Sequence, residues 1–445
     1  MPRKKDTAEM NELLRGLFDF IEKSPTCFHA VQEVKNILLA GGFEELQETK
    51  PWTVQAGKRY FVTRNQSSLI AFSMPEEEMR AFQIVASHSD SPTFKIKKNP
   101  EKEVQGHYVQ LNTERYGGMI CASWFDRPLS VAGRVAVRTE NGGVQSRLVC
   151  CDRDLVVIPN LAIHMNRSAN DGYAYNPQTD MLPLYGGEGA GGSFRKEIAA
   201  AAGAAPEHIL CADLFLYNRM KGTVWGSRGE FIAAPRLDDL ECAYTSLKAF
   251  LDGRGRRNAS VYALFDNEEV GSGTKQGADS SFLDTVLRRV ARAAGISGEK
   301  LDTVMASSFM VSADNAHALH PNHPDKNDPT NPVYLNNGVV VKFNANQKYT
   351  TDAISGAVFQ EICRRAGAKF QVFVNRSDLL GGSTLGNISN SHVSVNTVDI
   401  GLPQLAMHSC YETAGSEDVE SMVSALTAFY RTDIETLSDG QYRLS

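Results

Sequence analysis

The sequence predicts an α/β protein whose strands and helices alternate around a sheet, with a β-rich region inserted part-way along the chain. Three observations carry that prediction. Apolar runs of strand length, such as residues 81–87 and 260–265, alternate with segments of helical spacing. Residues 98–229 instead hold short β-like pieces separated by glycine-rich turns. Outside that block, His, Asp and Glu residues cluster where apolar runs end, the position at which open α/β sheets place ligand chemistry.

Residues 9–40 show helical spacing, with Leu13, Leu14, Leu17, Phe18 and Ile21 on one stripe and Val31, Val34, Ile37 and Leu38 on a second. Ser24-Pro25-Thr26 separates two helices, and Gly41-Gly42 ends the second. Residues 60–64 and 69–73 predict a hairpin across Asn65-Gln66-Ser67-Ser68. In the β-rich block, strands are expected at 107–111, 130–137 and 145–150, with turns at Gly186-Gly187 and 189–192. Beyond it, residues 240–251, 283–294 and 353–366 predict helices. A length of 445 residues exceeds one typical core. The expected division is a discontinuous body, residues 1–97 and 230–445, and an inserted domain, residues 98–229.

Hydrophobic residues make up 42% and charged residues 22%, the balance of a soluble globular protein. A net charge of −6 argues against a general nucleic-acid binder. No apolar run is long enough to span a membrane. The basic start, Met1-Pro-Arg-Lys-Lys-Asp, lacks the apolar region of a signal peptide. The eight cysteines include no Cys-x-x-Cys motif, and Cys150 and Cys151 are adjacent, so reduced, buried thiols in a cytoplasmic protein are expected.

The most informative stretch is Phe265-Asp-Asn-Glu268-Glu269-Val-Gly271, two adjacent carboxylates between a strand-like run and a glycine turn. Neighbouring residues at an extended end point in different directions. One carboxylate can therefore bind a metal while the other faces water, the division that metal-assisted hydrolysis needs. A solvated acidic loop would read the same way. His88 and Asp90 follow the 81–87 run; one can bind metal while the other fixes the imidazole tautomer. Asp238 and Asp239 lie at a junction before the 240–251 segment, suited to bridging two cations or to capping a helix. Asp314, His317, His320 and His323 form a dense group that suits metal binding, substrate polarisation or a surface loop. His408 stands alone in an apolar segment and reads by itself as a core histidine.

Taken in order, the chain resembles the aspartyl aminopeptidase family of cocatalytic zinc exopeptidases, in its bacterial branch. The resemblance rests on Ser24-Pro-Thr-Cys-Phe-His-Ala30, Ala86-Ser-His-Ser-Asp-Ser-Pro-Thr93, Trp124-Phe-Asp-Arg127, Ile158-Pro-Asn-Leu-Ala-Ile-His164, Pro235-Arg-Leu-Asp238, Asp266-Asn-Glu-Glu-Val-Gly-Ser272, Ser312-Ala-Asp-Asn-Ala-His317, Asn346-Gln-Lys-Tyr349 and Pro403-Gln-Leu-Ala-Met-His408. It implies a three-layer α/β/α zinc-exopeptidase-like catalytic domain, with residues 98–229 as a dimerisation domain. It implies two divalent ions, zinc before cobalt or manganese, one held by His88, Asp238 and Asp314 and the other by Asp238, Glu269 and His408. Glu268 would be the general base and Asp90 would orient His88. His164, His317, Lys342 and Tyr349 match substrate-contacting positions, His164 reaching the site of a neighbouring subunit. Lys342 would meet an acidic first side chain, although a solvated strand lysine reads the same way. The implied activity is removal of N-terminal Asp or Glu from peptides by self-associating subunits, dimers built into a tetrahedral dodecamer. The resemblance also implies a cis peptide between Asp238 and Asp239.

Two departures stand out. The family often has Asn where this chain has Asp239, and residues 376–385 differ from the eukaryotic pattern near the substrate pocket. The competing readings are a dipeptidase or amide deacylase on the same scaffold, and a non-catalytic assembly protein. Serine catalysis ranks below these, since Ser272 and Ser383 lack an evident oxyanion partner.

Overall fold

The structure, a computed structural model, describes residues 6–445; the first five residues of the basic start lie outside the described residues. A nine-stranded sheet forms the middle layer, in the order Glu44–Leu46, Arg59–Arg64, Ser68–Ser73, Asn258–Phe265, Ala81–His88, Phe309–Ala313, Asn396–Gly401, Val339–Phe343, Phe370–Val374. The four strands at its centre, Asn258–Phe265, Ala81–His88, Phe309–Ala313 and Asn396–Gly401, run parallel, so their C-terminal ends meet on one edge. Every residue of Ala81–His88 and Asn258–Phe265 is buried. This is why those segments are continuously apolar rather than alternating.

The side chains of these strands divide between two cores. Val85, Leu264 and Val311 pack with Leu17, Val34, Leu247, Phe359 and Phe429 from helices on one face. Ile84, Ala86 and Ala263 pack on the other face with Phe282, Val286, Leu287 and Val290 of the helix Phe282–Ala293. The expected three-layer α/β/α arrangement is present. The helix Ala353–Ala366 falls where the sequence places it, started by a capping box on Asp352 and ended by Gly367 at φ 67°. The predicted hairpin is Arg59–Arg64 paired with Ser68–Ser73.

A six-stranded antiparallel sheet has its own core, including Phe94, Leu111, Val131, Val135 and Leu216. Its order is Val144–Cys150, Leu129–Arg138, Ile209–Asn218, Thr93–Val104, Tyr108–Tyr116, Leu184–Gly187. The strand Thr93–Val104 runs across position 98, so this sheet also takes in residues 93–97. A five-stranded sheet, Thr223–Trp225, Phe231–Ala234, Glu412–Gly415, Pro403–Leu405, Ala316–His317, lies past the strand ends of the large sheet. Two chain segments continue from one sheet into the other: Asp314 N donates to Ile400 O (3.0 Å) and Ala316 N to Leu402 O (2.8 Å).

All eight cysteines are free. Cys150 and Cys211 are exposed, which corrects the expectation of uniformly buried thiols. Cys150 ends an edge strand, whose outer side chains meet solvent. Among the described residues, no helix is long and apolar enough to cross a membrane.

Candidate metal centre

Three adjacent parallel strands deliver the first half of the site. His88 ends its strand opposite Phe265, and Asp314 follows Ala313 on the other side. After Phe265 and Asp266, Asn267 takes a left-handed conformation (φ 63°), and Glu268–Val270 form a single 3-10 turn. Both amides at the start of that turn donate to the Asp90 carboxylate: Glu268 N to Oδ1 at 3.1 Å and Glu269 N to Oδ2 at 3.2 Å. The anion thus satisfies amides that a short helical turn leaves unpaired. Asp90 also meets His88, but mainly through its backbone. The His88 Nδ1 lies 3.1 Å from the Asp90 carbonyl oxygen and 3.4 Å from Oδ1.

The five-stranded sheet delivers the second half. Asp238 follows Arg236, which has φ 58°, and its own φ and ψ of −81° and 108° are non-helical. Regular helix begins only at Leu240. Neither Asp238 nor Asp239 caps that helix among the described residues: Asp239 Oδ2 accepts the His88 amide at 3.0 Å. The Asp238–Asp239 peptide is cis, as the resemblance implied. His408 sits in the turn between Pro403–Leu405 and Glu412–Gly415, with positive φ at Ala406 (56°) and at His408 itself (66°). Glu412 ties the two together: Oε2 accepts Asp238 N at 3.0 Å and Oε1 accepts His408 N at 2.7 Å.

The outcome is three overlapping groups of ligand-type atoms, each within 4.8 Å: His88, Asp238, Asp239 and Asp314; His88, Glu268 and Glu269; and Asp238, Glu269 and His408. Asp238 belongs to the first and the last of these. Its Oδ1 is 3.5 Å from His88 Nε2 and its Oδ2 is 3.3 Å from His408 Nε2. Glu269 Oε2 is also 3.3 Å from His408 Nε2, and Asp314 Oδ1 is 3.8 Å from His88 Nε2. With zinc–N and zinc–O bonds of about 2.0–2.2 Å, two ligands on one tetrahedral ion stand about 3.4 Å apart. Asp238 Oδ1 and Glu269 Oε1 are buried without any hydrogen-bond partner, a costly state for a carboxylate oxygen that a cation would relieve. The donor set and its spacing fit zinc.

Electrostatics agree. Burial, reinforced by neighbouring carboxylates, pushes Glu269 and Asp239 well above the usual carboxylate range, and Glu268 and Glu412 up to about 8. The facing imidazoles of His408 and His88 hold Asp238 low despite its burial. Acids this crowded and buried ionise together only beside positive charge, which divalent cations would supply.

Comparison with known proteins decides the family. The profile described as "Aminopeptidase I zinc metalloprotease (M18)" matches residues 20–430. The chain belongs to the peptidase M18 family. It is 45% identical over 428 residues to a probable M18 family aminopeptidase 2 of Clostridium acetobutylicum, covering 94% of this chain and 98% of that one. Among solved structures, Ape4 in the cryo-EM structure of the Ape4 and Nbr1 complex superposes with a TM-score of 0.91 at 36% identity, over 96% of this chain and 87% of that one. The S. cerevisiae mApe1 dodecamer superposes at 0.83 with 27% identity, over 95% and 97%. This M18 chain is therefore a zinc aminopeptidase.

The remaining expected residues of this M18 protein divide in two. Lys342 is 3% exposed, not a solvated strand lysine. Its Nζ donates to Asn315 O at 2.8 Å, stands 4.0 Å from Asp314 Oδ2 and lies 5.4 Å from the centre of the Tyr349 ring. Tyr349 and His317 both pack against Phe373, with ring centres 6.3 and 6.4 Å away. His317 reaches solvent while its protein surroundings and the Lys342 charge hold its pKa below the ordinary value. His164, by contrast, is exposed in a loop of the six-stranded sheet region and is in none of the three ligand groups. His320 and His323 pair with each other, ring centres 5.1 Å apart, outside all three groups.

Sequence reasoning missed Glu412, Asn315 and Tyr116. Glu412 is four residues from His408, yet nothing in Met-His-Ser-Cys-Tyr-Glu signals that its carboxylate turns back to two amides. Asn315 Nδ2 donates to the buried Glu241 Oε2 at 3.0 Å, and its carbonyl holds Lys342. Tyr116 lies in the inserted sheet, and only the fold brings it to Asp90, whose Oδ2 accepts its hydroxyl at 2.6 Å.

Proposed function

We propose that this enzyme removes acidic N-terminal residues, Asp or Glu, from peptides at a two-zinc site. His88, Asp238 and Asp314 would hold one ion and Asp238, Glu269 and His408 the other. The observation that carries the reading is the split of Asp238: one oxygen faces His88 and the opposite oxygen faces His408. That is the arrangement of a bridging carboxylate.

Zinc held there would supply Lewis acidity, polarising a peptide carbonyl and lowering the pKa of water. The chain's own groups do the rest. Glu268 shares its turn with Glu269 but makes no ion pair among the described residues, which suits a carboxylate that takes a proton from water and passes it to the departing amine. Asp90 keeps the two glutamates in that relation by holding both of their amides. The His88 Nδ1 contact to the Asp90 carbonyl leaves Nε2 as the ligand atom. Lys342 places a buried positive charge beside Asp314, and this supports a preference for a carboxylate on the first residue of the substrate. Tyr349 and His317 would line the same side.

We assign residues 1–97 and 230–445 to the catalytic domain and residues 98–229 to a dimerisation domain, except that residues 93–97 join the sheet of the latter and Thr223–Trp225 that of the former. Dimers assembling into a dodecamer are supported by the relative described as a dodecamer. Exposure of His164 beside Leu161, Ile163 and Met165 supports its reaching a neighbouring subunit. Eight free thiols support a cytoplasmic setting.

The test is a panel of short peptides beginning with Asp, Glu, Leu or Lys, each with a free or acetylated N-terminus, with and without chelator. Cleavage confined to free-amine Asp and Glu peptides and lost with chelator is expected. Cleavage led by Leu or Lys would discard the acidic preference; cleavage of the acetylated peptides would point to a deacylase or endopeptidase instead.

A further inference from the structure

The inserted sheet supplies no metal ligand, yet its chain crosses the metal centre. The strand Tyr108–Tyr116 ends at the site, and the four residues after it run along the second ligand set. The Tyr116 hydroxyl donates to Asp90 Oδ2 at 2.6 Å and accepts from Asn267 Nδ2 at 2.8 Å. Gly117, at φ 75°, lies so close to Glu269 that an added Cβ would stand 3.1 Å from the Glu269 Cβ and 3.3 Å from its carbonyl oxygen. A Cβ on Gly118 would stand 3.9 Å from His408 Nδ1. Ile120 N donates to His408 O at 3.0 Å.

Both ends of this crossing are anchored. The Tyr116 ring packs edge-on against Phe215 of the neighbouring strand Ile209–Asn218, with ring centres 5.6 Å apart, and Phe215 meets Phe28 at 6.4 Å. At the far end, the Ser123 hydroxyl accepts Cys410 N at 2.8 Å. Asn267, the other partner of Tyr116, is itself fixed: its Oδ1 accepts from Thr274 Oγ1 at 2.9 Å and Gln276 Nε2 at 2.8 Å. The Tyr116 hydroxyl therefore joins the inserted sheet to the carboxylate that holds the Glu268 and Glu269 amides and to the residue that turns the chain into them.

We propose that residues 116–120 form a positioning strap through which the inserted sheet sets the second metal site, and that Tyr116 is its positioning residue. The Tyr116 hydroxyl bonds to Asp90 and Asn267 rather than to a proposed metal ligand, and acts through them on the placement of Glu268 and Glu269. Gly117 and Ile120 act on Glu269 and His408, the two ligands that the second site does not share with the first. Removing the hydroxyl leaves the ring packed on Phe215 but takes one of the groups that fix the Asp90 carboxylate, leaving the Glu268 and Glu269 amides and His88 to hold it. Gly117 must be glycine on two counts, its left-handed φ and its approach to Glu269.

This rests on the two-zinc reading above, and the test is built so that the two can fail separately. Tyr116→Phe and Gly117→Ala are made in the full-length, assembled, zinc-loaded enzyme. Four quantities are measured: kcat, KM, zinc retention against increasing chelator, and melting temperature with assembly size. For Tyr116→Phe we expect kcat to fall about 10–100-fold, the usual range for a group supporting a metal ligand. KM should stay within about twofold, since substrate binding is not what the hydroxyl holds. One of the two ions per chain should be stripped at about tenfold lower chelator, with melting temperature and assembly unchanged. Gly117→Ala should loosen the same ion. Zinc retention and kcat equal to wild type in both variants would overturn the proposal. So would losses that track a lowered melting temperature or broken assembly. If wild type cleaves no peptide, the functional reading fails, while loss of one ion in the variants still supports the strap.

Discussion

His88, Glu268 and Asp314 stand at the ends of three adjacent parallel strands, whereas Asp238 and His408 stand on a left-handed junction and a hairpin of the smaller sheet. The first half is placed by register. Pairing Phe265 with His88 and Ser312 with Ala86 brings three chain ends to one level, and a single left-handed residue, Asn267, turns the chain into Glu268. The second half is placed by exceptions: positive φ at Arg236, Ala406 and His408, and Glu412 holding Asp238 N and His408 N. Non-glycine residues at positive φ persist only where their surroundings over-determine them, and such positions gather at functional sites. Regular structure thus brings the first proposed ligands together, and the buried Glu412 carboxylate holds the proposed shared ligand against them.

Asp238 is where the halves meet, so its loss should do the most. Asp238→Ala should remove a ligand from both ions and abolish turnover; metal analysis should show both ions lost. One ion retained at full occupancy would separate the halves. Glu268→Gln should cost on the order of 10²–10⁴-fold in kcat, the range for general acid–base catalysis, while zinc content stays at the wild-type level. Glu412→Gln attacks the second half alone. It should weaken zinc retention or activity by about 10–100-fold, because a carboxamide oxygen cannot accept both amides as the carboxylate does.

Glu412 also carries a pH signature. Burial and the Asp238 charge push its carboxyl up to about 8 in the metal-free protein, against about 4.3 for an unfolded glutamate. The folded chain therefore keeps a proton that the unfolded chain has released. Its contribution to stability is full below about 4.3 and is lost as pH rises through about 8. The metal-free melting temperature should fall across that window, and Glu412→Gln should flatten the fall. The smallest effect on chemistry belongs to Leu287, wholly buried beneath the sheet on the face away from Leu237–Asp252. Leu287→Ala should lower unfolding free energy by about 2–5 kcal/mol yet leave kcat per folded chain unchanged.

The same contrast explains what could be read from the sequence. The strand runs at 81–87 and 260–265 are apolar throughout because both faces are covered, so His88, Glu268 and Glu269 showed as polar residues at strand ends. At Asp238, bridging and helix capping both stayed open because its segment does lead into a helix, and only its non-helical φ and ψ decide against capping. His408 read as a core histidine because the hairpin around it is apolar; its role needed the ordered resemblance. Glu412 and Tyr116 left no signal: Glu412 acts on the end of a neighbouring strand far from it in sequence, and Tyr116 acts across two sheets. Lys342 looked like a solvated lysine because a single cation in an apolar strand shows nothing of Asp314 or Asn315, which approach it from the neighbouring segment.

The most direct measurement is zinc per chain and turnover for wild type, Glu268→Gln and Glu269→Gln, prepared alike. Two zinc ions in wild type and in Glu268→Gln, with turnover lost in the latter, and a single tightly held zinc in Glu269→Gln, would show that adjacent glutamates divide into base and ligand. Loss of zinc from Glu268→Gln, or full turnover in it, would contradict that division.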